Sequence, residues 1–477
     1  MSINHRRLSI AVAAGLFLEA INKVSPLLIL HHAQKTLGLT DFGIAQYQLT
    51  MLESVQPFIT FGFANYALAE RAVQTDNQSE TSTIFSHIGA LKLINTLLVA
   101  ILIVISATTG QAPFSQSIYS TGILTVVLVA YVADSMWYCI ARHKLAQMSV
   151  LTGLLRITTL VLILILVQQR TDTKLFILLC ILPNVATSIY SGFYAFKNLE
   201  ITRVTVATLK KIAIKSAPFA ILILFVTLLD RIDIFLVQKW YGSEGAGIYS
   251  GPAKVVQSLS LLIAGLATSF YAETMRVNES ESLFKHISFS LWLFTALTAP
   301  IIFGIPFIEK QTLSILFKDL PDSAGNLLSI ASIGMIGTVL SSVFALQILM
   351  PKSRPWPVIL GATIGLLISY ALAWTLHSSF GLHSAAFGIV CGKIIFGLTC
   401  LWASREFLPK IPLASFLKPM LAGACMSIFL TLIASDHMAV NIGFGGLSYV
   451  FFLSTINHKE FKKLIQHPKI KSLLGRS

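Results

Sequence analysis

Charge is what this chain has least of. Asp, Glu, Lys and Arg make up 12% of its 477 residues, where a soluble domain carries about 25%. With 55% hydrophobic residues and a mean hydropathy of +0.76, there is too little polar surface to cover one buried core. A water-soluble globule is excluded, and the class is a polytopic membrane protein. Cysteine is scarce too. Cys139, Cys180, Cys391, Cys400 and Cys425 all lie in or beside apolar runs without CxxC spacing, so neither a disulfide framework nor a metal site is indicated. No sizeable loop and no DxD motif is available for a sugar-nucleotide site, which argues against an enzyme; Asp230 and Asp233 are separated by Arg231 and Ile232. The net charge of +14 does not imply nucleic acid, because the basic residues sit in short loops rather than on one patch.

Apolar runs are what is present. A helix crossing hydrocarbon needs about 20 mostly apolar residues. Fourteen runs qualify: 8–32, 42–67, 84–107, 117–140, 147–168, 174–196, 213–238, 247–271, 284–307, 326–350, 355–378, 382–404, 414–434 and 437–455. The first follows Arg6 and Arg7 but contains Glu19, Asn22 and Lys23 and shows no clear cleavage site, so it reads as a retained span rather than a signal peptide. If the N-terminus is cytoplasmic, cytoplasmic segments hold 23 of the 35 basic residues and the opposite side six, Lys35, Arg170, Lys174, Lys239, Lys310 and Lys318. That bias predicts both termini in the cytoplasm.

The chain partly repeats itself. Shifting 37–58 by 204 positions onto 241–262 aligns Gly38 with Gly242, Gly43 with Gly247, Ile44 with Ile248 and Ser54 with Ser258. "LAE" at 68–70 and "YAE" at 271–273 match at a shift of 203. These matches predict two parallel six-span lobes, 1–205 and 206–408, followed by two extra spans and a basic tail at 409–477.

Ten charges fall inside predicted spans: Glu19, Lys23, Glu53, Lys92, Arg156, Asp230, Arg231, Asp233, Lys254 and Lys393. Each is costly in hydrocarbon, so each must pair, snorkel or line water. Glu19 and Lys23 share a helical face, and Lys23 lies at the depth of Glu53. Asp233 and Lys254 lie at similar depth across a turn; Asp230 and Asp233 share a face while Arg231 points elsewhere. Ion pairs that lock helices and a functional wet interior explain these charges equally well. Lys92 and Arg156 are close enough to the inner boundary to snorkel or to line a vestibule. Lys393 has no obvious acidic partner. Asp134 is expected to reach the interface, His31 and His32 to sit at the outer boundary, and Trp137, Trp240 and Trp356 to join aromatic belts.

Three stretches carry a family resemblance. "LGLTDFGIAQYQLTMLES" after a charged first span, "DSMWYCIARHKLAQMSVLTGLLR" at the fourth-to-fifth junction, and "LLDRIDIFLVQKWYGSEGAGIYSGPAKVVQSL" resemble polysaccharide-export flippases of the Wzx type over about the first 280 residues. The resemblance implies an all-α, MATE-like fold of two lobes that open alternately to each membrane face. It implies a substrate of undecaprenyl-pyrophosphate-linked oligosaccharide, such as an O-antigen or capsule repeat unit, moved to the periplasmic leaflet of a bacterial inner membrane. It implies membrane lipid, a polysaccharide polymerase and a chain-length regulator as partners, and no cofactor. On that reading Lys23, Lys92, Arg156, Lys254 and Lys393 are candidate headgroup contacts, and Glu19, Glu53, Asp230 and Asp233 tune them or couple transport. A cation-coupled drug antiporter of the same fold is the alternative.

Overall fold

The computed structural model describes residues 5–70, 73, 77–108, 118–274, 280–317, 320–433, 435 and 437–457, with side chains described from residue 25 onward apart from a few positions, chiefly 106–121. Eleven helices among these residues are long and apolar enough to cross a membrane, and each coincides with one of the fourteen predicted runs. The remaining runs, the first, second and eighth, lie largely in two long kinked helices, α1 (His5–Thr60) and α9 (Ile232–Thr274). Those two helices carry Glu19, Lys23, Glu53, Asp233 and Lys254.

Both kinks fall at glycine. Gly38 (φ 79°) and Gly242 (φ 66°) adopt backbone that an L side chain rarely takes. Prolines do not set the bends: Pro26, Pro57 and Pro252 remain within helix. The two kinks are the aligned glycines of the repeat, and the likeness extends further. Ser54 Oγ donates to the Thr50 carbonyl at 2.7 Å and Ser258 Oγ to the Lys254 carbonyl at 2.9 Å, the same four-residue back-bond at aligned positions.

Among the described residues, four predicted spans are not continuous helices; the tenth breaks at Gly334, and the others are the second, fourth and seventh. The second breaks at Phe61 and Gly62, both with positive φ, before the short α2 (Phe63–Ala69). A Cβ on Gly62 would lie 2.7 Å from Cβ of Phe219, so only glycine permits the approach of α8 (Val206–Leu229). After α3 (Gln78–Thr108), the fourth span breaks at Asp134–Ser135 between α4 (Ile118–Ala133) and α5 (Met136–Ala141). There Asp134 Oδ1 accepts the Met136 N–H at 3.2 Å, and Ser191 Oγ accepts the Ser135 N–H at 3.0 Å. The seventh breaks at Asp230–Arg231, where α8 ends and α9 begins. Side chains and close packing thus satisfy or shield backbone groups that a bilayer would leave unpaired.

The chain divides into two compact units, Met1–Gly247 and Ile248–Ser477. The first is completed by α6 (Leu145–Leu166) and α7 (Thr173–Asn198). At one end of it Phe63, Tyr66, Trp137, Tyr138, Leu199 and Ile212 form a core. Trp137 is therefore buried, 2% exposed, rather than part of an aromatic belt, whereas Trp356 is exposed as expected.

Beside this core Lys215 Nζ bridges Glu70 at 3.0 Å. Burial pushes the Glu70 carboxyl up, but hydrogen bonds from Lys215 and Tyr66 outweigh it and hold it below the usual range. A depressed carboxylate adds stability above its unfolded pKa, and that stability disappears as pH falls through the folded value. Glu70→Gln should flatten the acid limb of a thermal-melting pH profile by only about 0–1 kcal/mol, because the pair is part-exposed.

The second unit comprises α10 (Ser280–Gly304), α11 (Glu309–Leu316), α12 (Ser323–Ile333), α13 (Met335–Phe344), α14 (Pro355–Phe380), α15 (His383–Ser404), α16 (Leu413–Ile433) and α17 (Met438–Ile456), with the second part of α9. Small residues bring its helices together. A Cβ on Gly388 would lie 2.5 Å from the Ser369 carbonyl, and one on Gly392 would lie 2.4 Å from that of Gly365. This seam between α14 and α15 is the small-xxx-small contact expected where no hydrophobic force drives helices together. The last two helices pack on α10 through Trp292, Ala296, Ala299, Ala422, Met426 and Tyr449. Tyr449 donates its hydroxyl to the Ala296 carbonyl at 2.9 Å.

Candidate functional site

The embedded charges of the first unit form two ion clusters joined by a tyrosine. The helix break at Asp230–Arg231 turns Arg231 inward, and its guanidinium donates to Glu53 Oε2 at 2.5 Å. The sequence set Arg231 apart from the face of Asp230 and Asp233 without a named partner, and the structure gives it Glu53. Asp230 caps α8 and is exposed, while Asp233 sits half-buried in the first turn of α9.

The second cluster centres on Lys92. It is 4% exposed, and its ammonium donates to the main-chain carbonyl of Asp134. A snorkelling lysine would show its ammonium to water, so that expectation is overturned. Asp134 lies against Lys92 electrostatically and accepts from Ser191 Oγ at 3.3 Å; it does not simply reach the interface. The approach is close: a Cβ on Gly192 would lie 2.3 Å from the Ala133 carbonyl.

Tyr131 stands between the clusters. It is 7% exposed, its hydroxyl donates to the Leu52 carbonyl at 3.4 Å, and it interacts electrostatically with Glu53, Arg231 and Asp134. Sequence reasoning missed Tyr131, Ser191 and the Lys92–Asp134 contact. The available signal was the Asp-Ser pair at 134–135, residues that compete with helix hydrogen bonding.

The remaining candidates lie elsewhere in the fold. Arg156 is half-buried on α6. In the second unit Lys254 is half-buried on α9 and Lys393 half-buried on α15. Gly337 fits flush against Lys393, since a Cβ on it would lie 2.3 Å from the Lys393 carbonyl. Glu19 and Lys23 lie outside the residues whose side chains are described. His32 Nε2 is 2.8 Å from the Val167 carbonyl, joining α1 to the end of α6.

Chemically, the described side chains of the first unit include the Arg231 guanidinium beside the Glu53 carboxylate and the Lys92 ammonium near that of Asp134. The Arg231–Glu53 pair is still reachable by solvent, with side chains 20% and 40% exposed. A guanidinium offers a planar fork and an ammonium a compact point charge, and both suit phosphoryl oxygens.

A family profile described as polysaccharide biosynthesis protein matches residues 16–271. The chain belongs to that family. No curated protein matches the sequence. Among solved structures, the lipid II flippase MurJ in an inward closed conformation is similar at 14% identity and a TM-score of 0.70, covering 94% of this chain and 100% of that one. An inward-facing multidrug resistance MATE transporter of the MOP superfamily is similar at 13% identity and a TM-score of 0.60, covering 80% and 94%. A MOP superfamily transporter from Pyrococcus furiosus, described as having a binding pocket of reversed polarity, is similar at 14% identity and a TM-score of 0.56, covering 84% and 94%. These likenesses establish the fold, that of MurJ and the MATE transporters, and the eleven long apolar helices make the chain a multi-pass membrane protein.

Proposed function

We propose that this member of the polysaccharide biosynthesis family is a flippase. Its cargo is undecaprenyl-pyrophosphate-linked oligosaccharide, moved from the cytoplasmic to the periplasmic leaflet of a bacterial inner membrane by alternating access of two lobes. The observation that carries the proposal is the family match across the segment holding Lys92, Glu53 and Arg231. A guanidinium paired with a carboxylate and a buried ammonium suit a pyrophosphate, which can replace Glu53 as the partner of Arg231. In this reading Arg231 exchanges Glu53 for a phosphoryl oxygen, while Lys254 and Lys393 serve the headgroup from the second unit. The twin glycine kinks support lobes related by duplication. The bias of basic residues toward one set of connecting segments supports cytoplasmic termini, and neither a cofactor nor catalysis is required.

Deleting the gene in the native bacterium tests the proposal. Surface polymer should be lost, with the intact lipid-linked intermediate retained on the cytoplasmic side. Normal polymer with raised drug susceptibility would instead favour a cation-coupled antiporter, the reading that the MATE-like fold also accommodates. Arg231 offers a finer test. Arg231→Lys keeps the charge but loses the fork, and should retain partial flipping. Arg231→Gln should lose about tenfold or more, the scale of one charged hydrogen bond. Equal activity of both variants and the parent would remove Arg231 from the transport site.

A further inference from the structure

The segment between α7 and α8, residues 199–205, is an extended strap whose backbone is tied to one side. The N–H of Glu200 donates to Ser82 Oγ at 3.2 Å, that of Thr202 to Ser86 Oγ at 2.9 Å, and that of Thr205 to His87 Nε2 at 3.0 Å. Ser82 and His87 are buried. His87 is held from both ends, because its Nδ1 lies 2.7 Å from the Thr83 carbonyl. Accepting from Thr205 at Nε2 requires the proton on Nδ1. Leu199 anchors the start of the strap in the core of the first unit.

The other side of the strap has an unusual composition for a loop. Ile201 is 69% exposed and Val206 is 82% exposed. Within residues 197–211, Lys197, Arg203, Lys210 and Lys211 are exposed, against one exposed acid, Glu200, with exposed Glu80 on the neighbouring start of α3. The neighbouring turns of α7 add exposed Phe193 and Phe196. A segment with satisfied backbone, outward apolar side chains and flanking cations has the chemistry of an interfacial anchor. Four cations against one acid select a negative surface over a neutral one.

We propose that residues 197–211 form a docking surface for acidic phospholipid, with Ile201 and Val206 seated at the headgroup–acyl boundary and Arg203, Lys210 and Lys211 on the phosphates. The strap lies within the first compact unit, between α7 and α8. The surface follows from exposure and charge and holds whichever cargo the protein carries.

Hydrogen–deuterium exchange of the full-length protein in nanodiscs tests this. Peptides covering 199–211 are compared in phosphatidylcholine alone and in phosphatidylcholine with phosphatidylglycerol. Phosphatidylglycerol should slow their exchange by about fivefold or more, the scale of one Lys or Arg at an anionic surface. Arg203→Gln with Lys210→Gln and Lys211→Gln should erase that difference while leaving the rate in phosphatidylcholine unchanged. Ile201→Ser should speed exchange in both lipids. Several results would overturn the proposal: equal rates in the two lipids, a difference that survives the triple variant, or an equal slowing of the distant Glu309–Leu316 peptide. Inorganic phosphate reproducing the slowing in phosphatidylcholine would also overturn it, because the surface would then be a free-phosphate site.

Discussion

Replacing Lys92 with methionine should cut flipping by about tenfold to a hundredfold, the worth of one hydrogen bond from a charged group. The protein should still insert and fold. Methionine fills the aliphatic volume of the lysine, and Asp134 keeps its bonds from the Met136 N–H and Ser191 Oγ. What is lost is a cation that the structure keeps 4% exposed, at a helix break where its main-chain partner is fixed. Truncating one member of a buried pair also leaves the other charge uncompensated, so the melting temperature should fall in the single variant. The double variant Lys92→Met with Asp134→Asn separates the two roles. Asparagine can still accept at its side-chain oxygen and removes the stranded charge, so stability should recover. If Lys92 contacts the cargo, flipping stays lost in the double variant. If the pair only locks α3 to α4, flipping returns with stability. Accumulation of lipid-linked intermediate, read alongside thermal melting, distinguishes these outcomes.

Much of the architecture was legible because hydropathy and the cost of charge in hydrocarbon act residue by residue. Among the described residues eleven of the fourteen apolar runs are helices long enough to span, and the first, second and eighth fall largely within the two long kinked helices. The glycine alignment was legible for a similar reason: Gly38 and Gly242 have positive φ, a demand that few other residues meet. The ion partners were much less legible. Depth counting assumes unbroken helices at a fixed rise per residue. Arg231 turns toward Glu53 because the chain breaks at Asp230–Arg231, and Lys92 finds Asp134 because α4 stops at Ala133. Apolar composition does not encode such breaks. They arise from Asp and Ser side chains competing for backbone hydrogen bonds, and from close approaches such as Gly192 to Ala133 that join residues distant in sequence.

The largest structural effect is expected from a single methyl group at Gly43. The turn at Gly242 and the start of the helix after Gly38 meet backbone to backbone within the first unit. A Cβ on Gly43 would lie 1.8 Å from the Ser243 carbonyl and 2.6 Å from the Gly247 nitrogen, and a Cβ on Gly247 would lie 2.0 Å from the Leu39 carbonyl. Neither obstacle is the movable end of a side chain, so the helices themselves must separate. Overpacking of this kind costs about 1–3 kcal/mol, and occasionally more, where neighbours can adjust; here the neighbours are main chain. Gly43→Ala should therefore lower the melting temperature more than Gly89→Ala, since a Cβ on Gly89 meets nothing within 4 Å and alanine favours helix. Gly242→Ala tests the other requirement at the same turn: a Cβ there also meets nothing, so any destabilisation would come from the φ of 66°. If Gly43→Ala melts with the parent while Gly242→Ala is destabilised, the turn depends on backbone conformation alone and the close crossing is not a stabilising contact. If both fall, the two aligned glycine pairs of the repeat serve separate needs, one the bend and the other the crossing, which explains why both members of each pair are glycine.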